Sequence, residues 1–144
     1  MINDVLVKPL AGVVPASDTP AAIRDRPGGS AANQAAWMAH LGAGVTFAGR
    51  VGAPDAAYHR RELTRVGVRA HLAVDPEADT GSIVIMVAPD GERTMFTDRG
   101  ANQRLHPEDL PARLLDEADV LHLTGYTFCE PPLEKMKVLK PEKK

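Results

Sequence analysis

The sequence predicts an α/β fold in one domain, on three observations. Short apolar runs alternate with helix-forming stretches along most of the chain. The stretch "VAPDGERT" (87–94) sets Asp-Gly turn chemistry between two strand-like runs, which marks a β-hairpin. A length of 144 residues suffices for one domain with a core and is short for two.

Taken in order, Val5, Leu6 and Val7 read as the end of a strand. Residues 10–26 are rich in Pro, Ala and Asp and read as loop, with one short strand at 21–24. Residues 31–41 form a helix in which Ala32, Ala35, Ala36, Ala39 and Trp37 pack closely, with Gly42 as its stop. A buried strand follows at 45–51. Next comes an amphipathic helix at 55–66, whose polar side carries Arg60, Arg61, Glu62 and Arg65. A strand occupies 68–74, and 82–88 pairs with 93–97 as the hairpin. Residues 107–118 read as a helix, and "VLHLT" (120–124) as a continuous apolar strand of the kind buried in a parallel sheet.

Composition narrows the function. Hydrophobic residues at 44% and charged residues at 25% exclude wholesale disorder. A net charge of −2 implies no basic face, so nucleic acid is not expected as a partner. The single cysteine, Cys129, cannot form an internal disulfide. With no signal-like N-terminus and no apolar run of membrane-spanning length, the chain is expected in the cytoplasm, away from membranes. Before residue 135 the positive charge is nearly all arginine, whereas Lys135, Lys137, Lys140, Lys143 and Lys144 crowd the last ten residues. Residues 129–144 are therefore expected to be an atypical, frayed tail, distinct from a domain at 1–128.

Several chemistries are excluded by pattern. No glycine is followed by lysine, so there is no Walker-type phosphate loop. Gly42-Ala43-Gly44 fails as a dinucleotide fingerprint because Phe47 holds its third glycine position. His40, His59, His71, His106 and His122 lack ligand spacing, so no metal site is expected and they read as surface or helix-end residues. Ser30 is not in a nucleophile elbow, since Ala32 occupies the last glycine place.

The informative stretch is "RPGGSAANQAA" (26–36). Gly28 and Gly29 ahead of a helix let a ligand approach bare backbone, while the first-turn N–H groups point outward. Asn33 adds a donor and an acceptor suited to a hydroxyl-rich ligand. By themselves the glycines fit a plain turn with close helix packing better than a ligand loop.

Order matters more than any one piece. "GGSAANQA" is followed by "FAGRVG", "RVGV", "TGSIVIMVAPDGERTMFTDRGAN" and "ADVLHLTGYTF". From about Asn3 to Phe128 this series resembles the PfkB, or ribokinase-like, carbohydrate kinase family. The resemblance implies part of a doubly wound α/β sheet with an inserted antiparallel β lid, and a sugar between them. It implies that Asp4 holds sugar hydroxyls, a role suited to a carboxylate, and that Gly28, Gly29 and Asn33 form the di-glycine sugar loop. Ser30 stands where some members carry lysine, which speaks against a close ribokinase and leaves other sugars and nucleosides open. Arg99, Gly100, Ala101 and Asn102 match the segment where the lid strand returns, with Arg99 placed to reach a carboxylate or hydroxyl. The lid implies a possible homodimer.

The resemblance also implies ATP and Mg²⁺, and an in-line transfer in which an aspartate takes the sugar proton. The Asp-Thr-x-Gly-Ala-Gly-Asp and Asn-x-x-Glu segments that supply those parts are absent: Val45 follows the only Gly-Ala-Gly. The expectation is a truncated kinase without catalytic residues, inactive alone. The alternative is a non-catalytic sugar-binding or dimerisation module.

Overall fold

The computed structural model describes residues 1–127 as two sheets, two full helices and short helical turns. The larger sheet has the order β2-β1-β5-β6, with β1 (Ile2–Pro9), β2 (Ala21–Gly28), β5 (Thr80–Val87) and β6 (Arg93–Gly100). β2 runs antiparallel to β1, with Ile2 opposite Gly28 and Asp4 opposite Arg26. β5 runs parallel to β1, with Asp4 opposite Ile83, and β6 returns antiparallel to β5. The Asp-Gly hairpin is thus present and sits inside a four-stranded sheet.

The smaller sheet pairs β3 (Thr46–Gly52) and β4 (Arg69–Asp75) in parallel, Gly52 lying opposite Asp75. The helix α1 (Ser30–His40) leads into β3, and α2 (Ala56–Arg65) makes the crossover to β4. This β-α-β unit is what parallel pairing requires. Its core gathers Ala32 and Ala35 of α1, Phe47 and Val51 of β3, Ala56 and Leu63 of α2, with Val68, Leu72 and Met1. Alanines on α1 allow close approach to the strands, while α2 turns Arg60, Arg61 and Arg65 to solvent.

The sheets are joined where β3 and β4 end. Asp75 is buried, and its Oδ2 accepts from Arg50 Nε at 2.8 Å and from Arg104 Nε at 2.9 Å. Its Oδ1 accepts from the backbone N–H of Glu77 and Ala78 at 3.0 and 2.9 Å. Arg50 also forks onto both oxygens of Asp109 at 2.8 and 2.9 Å. Those backbone N–H groups, then the arginines, hold the Asp75 carboxyl well below the usual range against the effect of burial. Among the described residues no helix is long and apolar enough to cross a membrane.

Five expectations need correction. β2 spans eight residues where a short strand at 21–24 was expected; its polar centre hides the alternation because an edge strand is exposed along its length. The helix expected at 107–118 is only a 3₁₀ turn, Pro107–Asp109, and one turn of α-helix, α3 (Arg113–Asp116). Pro111 lacks an N–H and pushes Leu110 to extended backbone, at φ −102° and ψ 117°. Residues 120–124 form no strand: none of the described strands lies alongside to pair their backbone, and Val120 is 82% exposed. Trp37 does not pack inward and stands 66% exposed, its ring edge-on to His40. His59 is fully buried in α2 rather than at the surface. The tail expected at 129–144 lies outside the described residues.

Candidate functional site

β1 and β2 bring Asp4 and the two glycines together. Because Ile2 pairs with Gly28, the Asp4 side chain, two residues on and on the same face, folds back over that glycine. A Cβ at Gly28 would overlap the Asp4 carboxylate, so any larger residue there has to push that side chain aside. Gly29 then turns the chain at φ +96°, in the left-handed region that favours glycine, with Ile2 packed beneath it. The helix α1 starts immediately, and no side chain caps its first turn. Asn33 sits exposed one turn in, its N–H donating to the Gly29 carbonyl at 3.0 Å. Asp4 and Gly28 therefore form one patch, from which Gly29 leads into α1 and the exposed Asn33.

The carboxylate in that patch is unsatisfied. Oδ1 of Asp4 is buried and has no hydrogen-bond partner among the described residues. Burial pushes its pKa up. A buried acceptor left open costs stability unless something fills it.

Arg99 and Asn102 are placed differently. The Arg99 guanidinium lies over the Tyr126 ring, 5.3 Å from its centroid. Tyr126, with 122–125, faces Ser30 and Gln34 of α1 across an open cavity of about 410 Å³. Arg99 does not line this hollow itself and meets it only through Tyr126. Asn102 is instead consumed internally: its Oδ1 accepts from the Met1 ammonium at 2.9 Å, and its Nδ2 donates to the carbonyls of Met1 and Arg99 at 2.7 and 2.9 Å. It clamps the start of β1 to the end of β6, and burial lowers the Met1 amine to about 6.

Sequence reasoning missed Tyr126 and Gln34, which line the hollow, and Asn3, whose Nδ2 donates to Asp55 Oδ2 at 2.9 Å and ties β1 to the entrance of α2. The only prior signal for Tyr126 was an aromatic following Gly125 after an apolar run. Among the described residues no three His, Cys, Asp or Glu side chains gather to hold a metal.

An α/β body, a four-stranded sheet laid beside it, and a carboxylate over a di-glycine turn define a sugar-kinase type of fold. The description "pfkB family carbohydrate kinase" matches residues 7–143, and the chain belongs to that family. An ATP-dependent ribose-1-phosphate kinase of Halopiger xanaduensis is 34% identical over 117 residues, 78% of this chain and 40% of the relative. The ribokinase of Cryptococcus neoformans, solved in complex with ADP, superposes with a TM-score of 0.59 at 27% identity, covering 69% of this chain and 33% of that one. A fructokinase structure from Xylella fastidiosa reaches a TM-score of 0.64 at 24% identity, over 81% of this chain and 37% of that one, and shares the fold. The chain spans 28% to 40% of the length of the curated relatives it matches.

Proposed function

We propose that this chain is the sugar-binding and lid part of an ATP-dependent kinase acting on a hydroxyl of a sugar or sugar acid. The observation that carries the reading is Asp4: a buried, unpartnered carboxylate oxygen held against a glycine at an uncapped helix mouth. Such an acceptor suits two vicinal hydroxyls, which satisfy it without bringing in charge. Gly28 and Gly29 keep side chains out of the ligand's path, Asn33 offers both hydrogen-bonding senses, and Arg99 stacks on Tyr126, which lines the hollow. Asn102 acts by position, holding β1 and β6 in register. ATP is the phosphoryl donor in this reading, supported by the relative named as ATP-dependent and by the ribokinase solved with ADP. The transfer step belongs to residues this chain does not contain, so the chain alone binds sugar and transfers no phosphate. The cytoplasm is the proposed location.

Calorimetric titration with pentoses, hexoses and sugar acids tests this, run beside an assay for ADP release. Binding heat that disappears in Asp4→Ala, with no ADP release, is the expected result. Silence across the whole panel would remove the sugar site, and sugar-dependent ADP release would refute inactivity.

A second reading is a dimerisation module. Alternation along the strands puts Val5, Val7, Ile23, Val84, Met86 and Phe96 on the sheet face opposite Asp4. Ile23 and Phe96 are 63% and 60% exposed there, an apolar surface that a second copy would cover. Sedimentation of wild type against Phe96→Asp separates the readings.

A further inference from the structure

Strand alternation divides the four-stranded sheet into two electrically unlike faces. The face bearing Asp4 also carries Lys8 on β1, Arg24 and Arg26 on β2, and Arg93 on β6. Asp4 is its only carboxylate, whereas the opposite face carries Asp25 and Asp98. Arg26 stands directly across from Asp4 in the register, and Arg24 is one pair further along, across from Leu6. Neighbouring strands lie about 5 Å apart, so Asp4 and Arg26 are placed to pair. They do not: Asp4 folds onto Gly28, and among the described residues the guanidinium groups of Arg24 and Arg26 make no hydrogen bond or ion pair. Both arginines are exposed.

A free acceptor and two free bidentate donors, one strand apart on a single face, match one ligand carrying hydroxyls at one end and an anion at the other. We propose that Arg26, with Arg24 beside it, is an anion-reading subsite, and that the preferred ligand is a monosaccharide bearing a phosphate or carboxylate. The inference rests on the sugar-site reading of Asp4 and adds the charge of the substrate. Planar guanidinium forks suit both anions, and an arginine pair beside a hydroxyl clamp separates charged sugars from their neutral parents.

The test uses the 144-residue chain, titrated with ribose, ribose 5-phosphate, gluconate and inorganic phosphate at fixed salt. At least one anionic sugar should bind about tenfold or more tighter than ribose and than inorganic phosphate. In Arg24→Ala/Arg26→Ala that ratio should fall toward one, whereas Arg93→Ala, at the far end of the sheet, should preserve it. Tightest binding by the phosphate or by the carboxylate ligand identifies the anion. Equal binding of neutral and anionic sugars would overturn the proposal and leave the sugar site standing. Inorganic phosphate binding as tightly as every sugar, or an equal loss in Arg93→Ala, would reduce the arginines to a general positive field and overturn it. Binding of no sugar at all would overturn both readings.

Discussion

Asp75 and Asp4 are both carboxylates borne on strands, and the fold treats them in opposite ways. Asp75 ends β4 with two arginines and two backbone N–H groups on its oxygens. Asp4 lies in β1 with one oxygen buried and unpartnered. The pKa shifts follow: the first is driven down by its donors, the second up by burial. A carboxylate whose every lone pair is spoken for holds structure together. One that the chain buries and leaves open lowers stability, and such a cost persists where a ligand is to be met.

The comparison is broken most severely at its structural end. Asp75→Ala takes the buried partner from Arg50 and Arg104, leaving them only Asp109 and Glu77, and frees two backbone N–H groups, so the thermal unfolding midpoint should fall by about 10 °C or more. An unchanged midpoint would show that the network is ornamental. Asn102→Ala comes next. It deletes three hydrogen bonds that close the larger sheet and should cost about 2 kcal/mol in urea unfolding. If it instead abolished sugar binding at unchanged stability, Asn102 would be a ligand residue rather than a clamp.

These residues also show what the sequence could reveal. The Asp-Gly hairpin, α1, α2 and the β3–β4 pair are legible because turn chemistry and periodicity are local. Asp4 and the glycines are legible only through their order along the chain, since nothing local links position 4 to position 28. The strand register makes that link. The burial of His59 was hidden because helical spacing shows a face, not what covers it. Residues 120–124 mislead for the converse reason: an apolar run records a capacity for burial, and a strand forms only beside a partner.

Sharper and smaller is Gly28→Ala. Its Cβ displaces the Asp4 carboxylate without demanding a forbidden backbone angle, so the fold should survive while the Kd for sugar rises about tenfold or more. Wild-type affinity in this variant would detach Asp4 from the site.

His59 offers a pH handle of similar size. Both ring nitrogens are buried without partners among the described residues, and burial lowers its pKa, with the Met1 ammonium adding repulsion and Asp55 opposing it. The unfolded chain therefore takes up a proton near the usual value of about 6.5 while the folded chain does not. Stability is full above that pH and falls as the solution is acidified below it. The Met1 amine has the same sign in a higher window, from 8.0 down to about 6. His59→Leu should flatten only the lower part of the urea midpoint against pH. A profile unchanged by the substitution would assign the acid sensitivity to other groups.

Asp4→Asn is expected to move stability least and is the most telling for the comparison. Asparagine keeps the shape and removes the charge whose burial is unfavourable, so the unfolding midpoint at pH 7 should stay level or rise slightly. The sign follows from the raised pKa: burial disfavours the ionised carboxylate in the folded state and not in the unfolded chain, so the charge costs stability once the pH is above the usual carboxylate range. The same variant should lose sugar affinity, because an amide accepts at one oxygen only and cannot chelate two hydroxyl protons. A substitution that leaves the fold as firm as before and empties the site is the signature of a residue kept for its ligand. A clear drop in the midpoint would instead place Asp4 with Asp75, as one more strut.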